Sequence, residues 1–186
     1  MCVNKLVYWK VSIDQILKMN NTLLIALVLT CVALLLCIIS TAIPYWWSSD
    51  NFDLGLFRYC GTINILGTSS TSCGEFSDVP DWMKATRAMM VLSILALGAS
   101  ILLSVLFGFI MKEKQFLAIL AAFMCFAAAG LAILGVIIYG AKAPLKSFDL
   151  VYGEGSLHAG FGLAIIAAIA AVVAGVFVFL SKGRNV

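Results

Sequence analysis

The chain has 186 residues, of which 63% are hydrophobic and 11% charged, with a mean hydropathy of +1.08. A soluble domain sits near half apolar and a quarter charged, so the composition excludes one and implies an integral membrane protein whose length suits one compact bundle. No basic stripe with interleaved aromatics points to nucleic acid, and the net charge of +3 gains meaning only when divided by loop.

Residues 1–22 form a mixed N-terminal segment. Leu6, Trp9, Ile13, Ile16 and Leu17 fall near one face at helical spacing. Two readings stand level: an interfacial amphipathic helix and an ordinary tail. Asn20-Asn21-Thr22 is an acceptor sequon that a cytosolic placement would leave silent. Residues 23–43 run without a charge and are long enough to cross a bilayer core. Pro44 ends the run, and Trp46 and Trp47 are expected at an interfacial aromatic belt.

Residues 44–87 are polar and aromatic. Asp50, Asp53 and Arg58 would be costly in lipid, so this segment is expected to fold on a membrane surface. Leu54 to Ile65 is rich in aromatic and β-branched residues. Gly67-Thr68-Ser69-Ser70 is turn-like, and Thr71 to Phe76 reads as a returning strand. Folding near Leu66-Gly67 brings Cys60 opposite Cys73. A disulfide there would suit an oxidising compartment and contribute about 3 kcal/mol. The alternative is two free thiols in an unstructured loop.

The second span is expected at 88–111, the third at 116–139 and the fourth at 157–180. They are joined by the short loop 112–115 and a second, smaller loop at 140–156, and a tail follows at 181–186. The short link forces an antiparallel helical hairpin. The N-terminal segment, the short loop and the tail carry +2, +1 and +2, whereas the first large loop carries −2. By the positive-inside rule both termini are cytosolic and both larger loops extracellular. Gly160, Ala164 and Ala168, and likewise Ala167, Ala171 and Gly175, recur every four residues. That spacing lets helices approach closely in lipid.

No catalytic constellation and no metal-ligand spacing is visible, and no cofactor is expected. His158 at the start of the fourth span reads as interfacial. Cys31, Cys37 and Cys125 read as small apolar fillers, and Cys2 is an acylation candidate. Charge-free spans argue against a transporter or an intramembrane enzyme.

Trp47, Gly55-Leu56-Phe57, Cys60 and Cys73 together resemble the first extracellular loop of the claudin, epithelial membrane protein and peripheral myelin protein superfamily. Phe57 stands where that pattern has a Trp, and the short gap from Trp47 to Gly55 is closer to the epithelial membrane protein branch. Arg87, in Thr86-Arg87-Ala88-Met89-Met90, matches a similar claudin stretch. The resemblance covers Met19 to Leu180, and Met19 stands where family members usually begin. It implies an α-helical membrane protein: a left-handed four-helix transmembrane bundle under a small extracellular antiparallel β-sheet. One strand would come from the second loop, near Phe148 to Tyr152. Arg87 would tie carbonyls of the sheet to the helix top, the other reading being a snorkelling Arg at the interface.

The resemblance further implies a non-enzymatic protein of the plasma membrane and its cell junctions. It would act in cell–cell contact, barrier formation or membrane organisation. The alternative is an auxiliary subunit or trafficking partner of another membrane protein, such as an ion channel. Expected partners are the lipid bilayer, further copies in cis and in trans, and other membrane proteins. The C-terminal Gly183-Arg184-Asn185-Val186 is expected to bind PDZ scaffolds weakly or not at all, because Arg184 is neither hydroxylated nor apolar. Asp50, Asp53 and Glu75 are candidate cation-facing residues should the protein form a paracellular pathway.

Overall fold

The computed structural model describes residues 21–49, 52–65, 68–109, 115–142 and 155–181. Helix α1 spans Asn21–Ala42, α2 Asp81–Phe109, α3 Gln115–Lys142 and α4 Ala159–Ser181. All four are long and apolar enough to cross a membrane. Neighbours in the chain pack side by side and α4 closes the ring against α1.

These helices are apolar all round, so amphipathicity does not decide which face turns inward. Residue size does. The outward positions carry Ile, Val, Leu and Phe, and the inward ones are mostly Ala, Ser, Thr, Cys and Gly. Burying a large apolar side chain gains little in lipid, which is as apolar as the protein. Close backbone approach is what holds the helices together.

Along one stripe of each helix the buried positions alternate in steps of three and four, with other buried residues such as Thr41, Ala122, Ala129 and Ala168 beside the stripe. In α1 they are Leu23, Ala26, Thr30, Ala33, Cys37 and Ser40. In α2 they are Met83, Thr86, Met90, Ser93, Leu97, Ser100, Ser104 and Phe107. Ala118, Ala121, Cys125, Ala128, Ala132, Gly135 and Tyr139 continue the pattern in α3, and Gly160, Ala164, Ala167, Ala171, Ala174, Val178 and Ser181 do so in α4. A period of 3.5 residues along such a stripe favours a left-handed supercoil.

Several hydroxyls along this seam are engaged, whereas the buried Ser104 Oγ and Tyr139 Oη find no hydrogen-bond partner among the described residues. Ser93 Oγ donates to the Ala128 carbonyl at 2.9 Å, and Ser100 Oγ donates to that of Ala121 at 2.8 Å. Both bonds cross from α2 to α3 and fix the register of that pair, each contributing on the order of 0.6–2 kcal/mol. Thr30 and Thr41 bond back to the carbonyls of Ala26 and Cys37 within their own helix.

The strands are β1 (Trp47–Ser49), β2 (Phe52–Leu54), β3 (Arg58–Ile65), β4 (Thr68–Glu75) and β5 (Gly155–Leu157). They form one antiparallel sheet in the order β4-β3-β2-β1-β5. The sheet thus takes four strands from the first loop and one from the second.

Four expectations need correction. Thr68, Ser69 and Ser70 are not turn but strand, because β4 keeps its ladder with β3 as far as the Ile65–Thr68 pair. Trp46 and Trp47 do not form an interfacial belt: they are 0% and 1% exposed, locked between sheet and bundle. Cys31 is exposed on the outer face of α1, whereas Cys37 and Cys125 are buried fillers. Finally, α2 begins seven residues before Ala88. Charge ends the lipid-embedded part of a helix but not the helix itself. The Pro80 carbonyl accepts the first bonds, from Met83 N at 2.9 Å and Lys84 N at 3.2 Å, and Asp81 complements the helix dipole.

Residues 1–20 with the sequon's acceptor Asn20, Asp50, the loop lysines Lys112 and Lys114, the strand expected near Phe148 to Tyr152, and the tail with Arg184 and Val186 lie outside the described residues.

The small-residue seam makes a test. Ala128 is 0% exposed and its carbonyl accepts the Ser93 bond. Ala128→Leu should overpack the α2–α3 contact and destabilise the fold by about 1–3 kcal/mol. Ile137→Ala, at a lipid-facing position 58% exposed, should change little. Thermal midpoints of the two variants in detergent, read by size-exclusion chromatography after heating, separate them.

Candidate functional site: the sheet and its seat on the bundle

The alternation of the strands gives the sheet two unlike faces. Pairing aligns Ser156, Ser48, Asp53, Cys60 and Cys73 in one row across all five strands. The next row aligns Leu157, Trp47, Leu54, Tyr59 and Gly74. Side chains of adjacent rows point to opposite faces. Trp47 and Leu54 are each 1% exposed, so their face rests on the bundle. The row with the disulfide faces away from it.

Trp46 is the seat of the sheet. Its ring packs edge-on against Tyr139 of α3 at 4.9 Å and against Phe161 of α4 at 6.1 Å. Its indole Nε1–H donates to the Ser40 carbonyl at 2.6 Å. Ser40 Oγ in turn donates to the Gly160 carbonyl at 2.6 Å, and Gly160 N–H donates to the Tyr45 carbonyl at 2.6 Å. The Trp46 backbone extends the ladder on both sides, donating to Leu54 O at 2.8 Å and accepting from His158 N at 3.0 Å. His158, expected at the interface, is itself exposed and meets the Tyr45 ring edge-on at 6.3 Å.

This seat leaves no room for side chains at three glycines. A Cβ on Gly160 would stand 2.5 Å from Trp46 Cδ1 and 2.9 Å from the Tyr45 carbonyl oxygen. One on Gly55 would meet the backbone of Ile43 and Pro44 at 2.6 Å, and one on Gly155 would collide with the Trp47 ring. Gly55 also closes the turn into β3, its N–H donating to Arg58 O at 2.8 Å. Leu56, the next motif residue, is 0% exposed. Phe57, which follows it, is 41% exposed.

Cys60 and Cys73 form a disulfide between directly paired residues, with Cα atoms 4.1 Å apart. That closeness fits a narrow, non-hydrogen-bonded pair of an antiparallel ladder. Asp53 stands beside Cys60 in the outward row and accepts a bond from Ser48 Oγ at 2.5 Å. Glu75 lies two strands away and pairs with Arg58 at 3.8 Å, both side chains being well exposed. The two acids therefore share a face without touching. Asp78 and Asp81 both lie near Lys84, at 3.9 Å and 3.4 Å.

Arg87 reaches the sheet from α2. Its Nε–H donates to the Leu56 carbonyl at 2.6 Å. Its Cζ lies 4.9 Å from the centre of the Phe57 ring and 5.5 Å from that of Phe76. Among the described residues no group of three or more His, Cys, Asp or Glu is arranged to hold a metal ion.

Trp46, Ser40, Gly160 and Tyr139 were not singled out as site residues by the sequence. Trp46 adjoins the motif Trp, and Gly160 belongs to a four-residue repeat of small residues, but nothing local ties Ser40 to either. Gly160→Ala should lower stability by about 1–3 kcal/mol. Gly162→Ala, where an added Cβ meets nothing within 4 Å, should leave it unchanged. Folded yield in detergent and the fraction of chain with the Cys60–Cys73 bond formed report both.

No curated protein matches the chain at a significant level. A family model does match, over residues 19–178: that of the PMP-22/EMP/MP20/Claudin family. The match takes in all four helices and the whole sheet but for the last residues of α4, and by it this chain belongs to the PMP-22/EMP/MP20/Claudin family.

Proposed function

We propose that this tetraspan protein works without catalysis, as a structural element of cell–cell contacts in the plasma membrane. It would build junctions or barriers, or organise the membrane around them, and would self-associate in cis and in trans. Both termini would be cytosolic and the sheet extracellular, as the loop charges and the disulfide favour. The observation that carries the reading is the seat of the sheet. A disulfide-braced sheet held by Trp46, Ser40 and Gly160 offers a fixed polar face to whatever lies opposite. Recognition across a gap benefits from such preorganisation, because little ordering entropy remains to be lost on binding.

Expression in an epithelial layer tests this. The protein should concentrate at cell borders, and an impermeant maleimide should label Cys60 and Cys73 on intact cells only after reduction. Diffuse surface distribution with stoichiometric recovery of a channel would replace the reading with that of an auxiliary subunit.

Should the contacts enclose a paracellular pathway, the outward face would favour cations. Asp53 lies in that face with no basic partner among the described residues, and Glu75 is paired with Arg58 only in an exposed, weak ion pair. Acidic side chains along a narrow path lower the energy of a cation there. Dilution potentials should show sodium preferred to chloride. The preference should fall when Asp50, Asp53 and Glu75 are neutralised together, and unchanged selectivity in that variant would remove the assignment.

A further inference from the structure

The three bases of the first loop meet different fates. Arg58 is paired with Glu75, and Lys84 with Asp78 and Asp81. Arg87 has no carboxylate within ion-pair distance among the described residues. Its bond to Leu56 uses Nε alone, and its contact with the Met83 sulfur at 3.9 Å is a weak one. Phe57 and Phe76 offer their ring faces to the guanidinium. Stacking engages the faces of a planar guanidinium and leaves its edges free to hydrogen-bond in plane. The Arg87 side chain is only half-buried, so its remaining N–H groups are within reach of the surroundings.

The height of Arg87 in the membrane follows from α2. From Ala88 to Phe109, its last described residue, the helix carries no charge. At 1.5 Å per residue that stretch is about 33 Å long, enough to cross the hydrocarbon core. Arg87 is the first charge beyond it at the sheet end, which is the level of the lipid headgroups. Phe57, beside it and 41% exposed, stands at the same level. Phe57 is therefore, with Tyr45, an exposed aromatic at this boundary, whereas Trp46 and Trp47 are buried.

We propose that Arg87 has two roles, tying the sheet to α2 through Nε and binding the phosphodiester of a bilayer phospholipid through η N–H groups, of which, among the described residues, only Nη2 has a partner, the weak contact with Met83. The guanidinium fork matches a phosphate with two parallel bonds, stronger than neutral ones because both partners are charged. An Arg without an acid partner, at headgroup height and flanked by an exposed aromatic, meets that chemistry directly. A cation shared between the loop and the lipid would fix how deep the sheet sits, and hence how far its outward face stands from the bilayer.

The chain contains Arg58, Arg87 and Arg184 as its arginines. Arg58→Lys with Arg184→Lys leaves Arg87 as the one guanidinium and keeps every charge. Solid-state NMR of this full-length variant, labelled at arginine 13Cζ and reconstituted in phosphatidylcholine bilayers, measures the coupling to lipid 31P. The expected result is strong dephasing from a Cζ–P separation of about 4–5 Å, as bidentate bonding requires. No dephasing in protein whose Cys60–Cys73 bond is formed would overturn the proposal. So would dephasing by inorganic phosphate in maltoside micelles with none in bilayers, which would make this a site for free anions.

Discussion

The bond from the Trp46 indole to the Ser40 carbonyl is the constraint on which the rest of the structure depends. A helix leaves its last four carbonyls and its first four N–H groups without partners. Here α1 ends and α4 begins side by side, in a setting where water cannot be relied on to satisfy them. Trp46 Nε1–H takes the Ser40 carbonyl near the end of α1, and Gly160 N–H at the start of α4 takes the Tyr45 carbonyl. Ser40 Oγ then joins the two helices directly through the Gly160 carbonyl. The same few atoms thus cap two helix ends and root the first strand of the sheet. An indole suits this place because it combines a large apolar body with a single donor. The body fills the space between Tyr139 and Phe161 while the donor takes the Ser40 carbonyl.

What the sequence made legible were features carried by local pattern. Four uncharged runs marked the spans, and the span count, the antiparallel hairpin and the pairing of Cys60 with Cys73 all stand in the structure. The motif residues Gly55, Leu56 and Arg87 also occupy special places: against backbone, fully buried, and bonded to a carbonyl. The seat itself was not legible, because it is made by residues far apart in the chain. Ser40 sits in an apolar run and Gly160 in a row of small residues, and their meeting depends on α1 and α4 being neighbours. Trp46 and Trp47 misled for a physical reason. A Trp just beyond a span usually belongs in the headgroup region, but a sheet seated on the bundle puts the same position indoors. The heptad was masked in a similar way: without polar contrast between faces, only the sizes of the side chains reveal it.

The two faces of the sheet ask different things of the same strands. The face toward the bundle buries Trp47 and Leu54 against closely packed backbone, which leaves room only for glycine at 55, 155 and 160. The outward face carries hydroxyls, Asp53, the disulfide and the Arg58–Glu75 pair. Because the period of a strand is two, a slip of one residue would exchange these faces and bury Asp53. The Trp46 backbone bonds to Leu54 and His158 resist that slip on both sides of β1.

The disulfide acts at a different point from the Trp46 seat. Among the described residues, β2 pairs with Tyr59, Cys60 and Gly61 of β3, whereas β3 and β4 stay paired for eight residues. Beyond Gly61 the β3–β4 arm is, among the described residues, a two-stranded ribbon, and such a ribbon alone is marginal in water. Its described outward contacts include only the mutual bond of Thr62 and Thr71 at 3.2 Å. The Cys60–Cys73 bond lies one row inside the point where the arm leaves the sheet. A covalent tie at the root restricts both strands of the arm and lowers the entropy they have to lose on pairing. Placed farther out it would not secure the junction with β2; placed deeper it would duplicate what Trp46 already holds. The core of the sheet is thus kept by burial and hydrogen bonds, and the disulfide is spent on the arm that those forces do not reach.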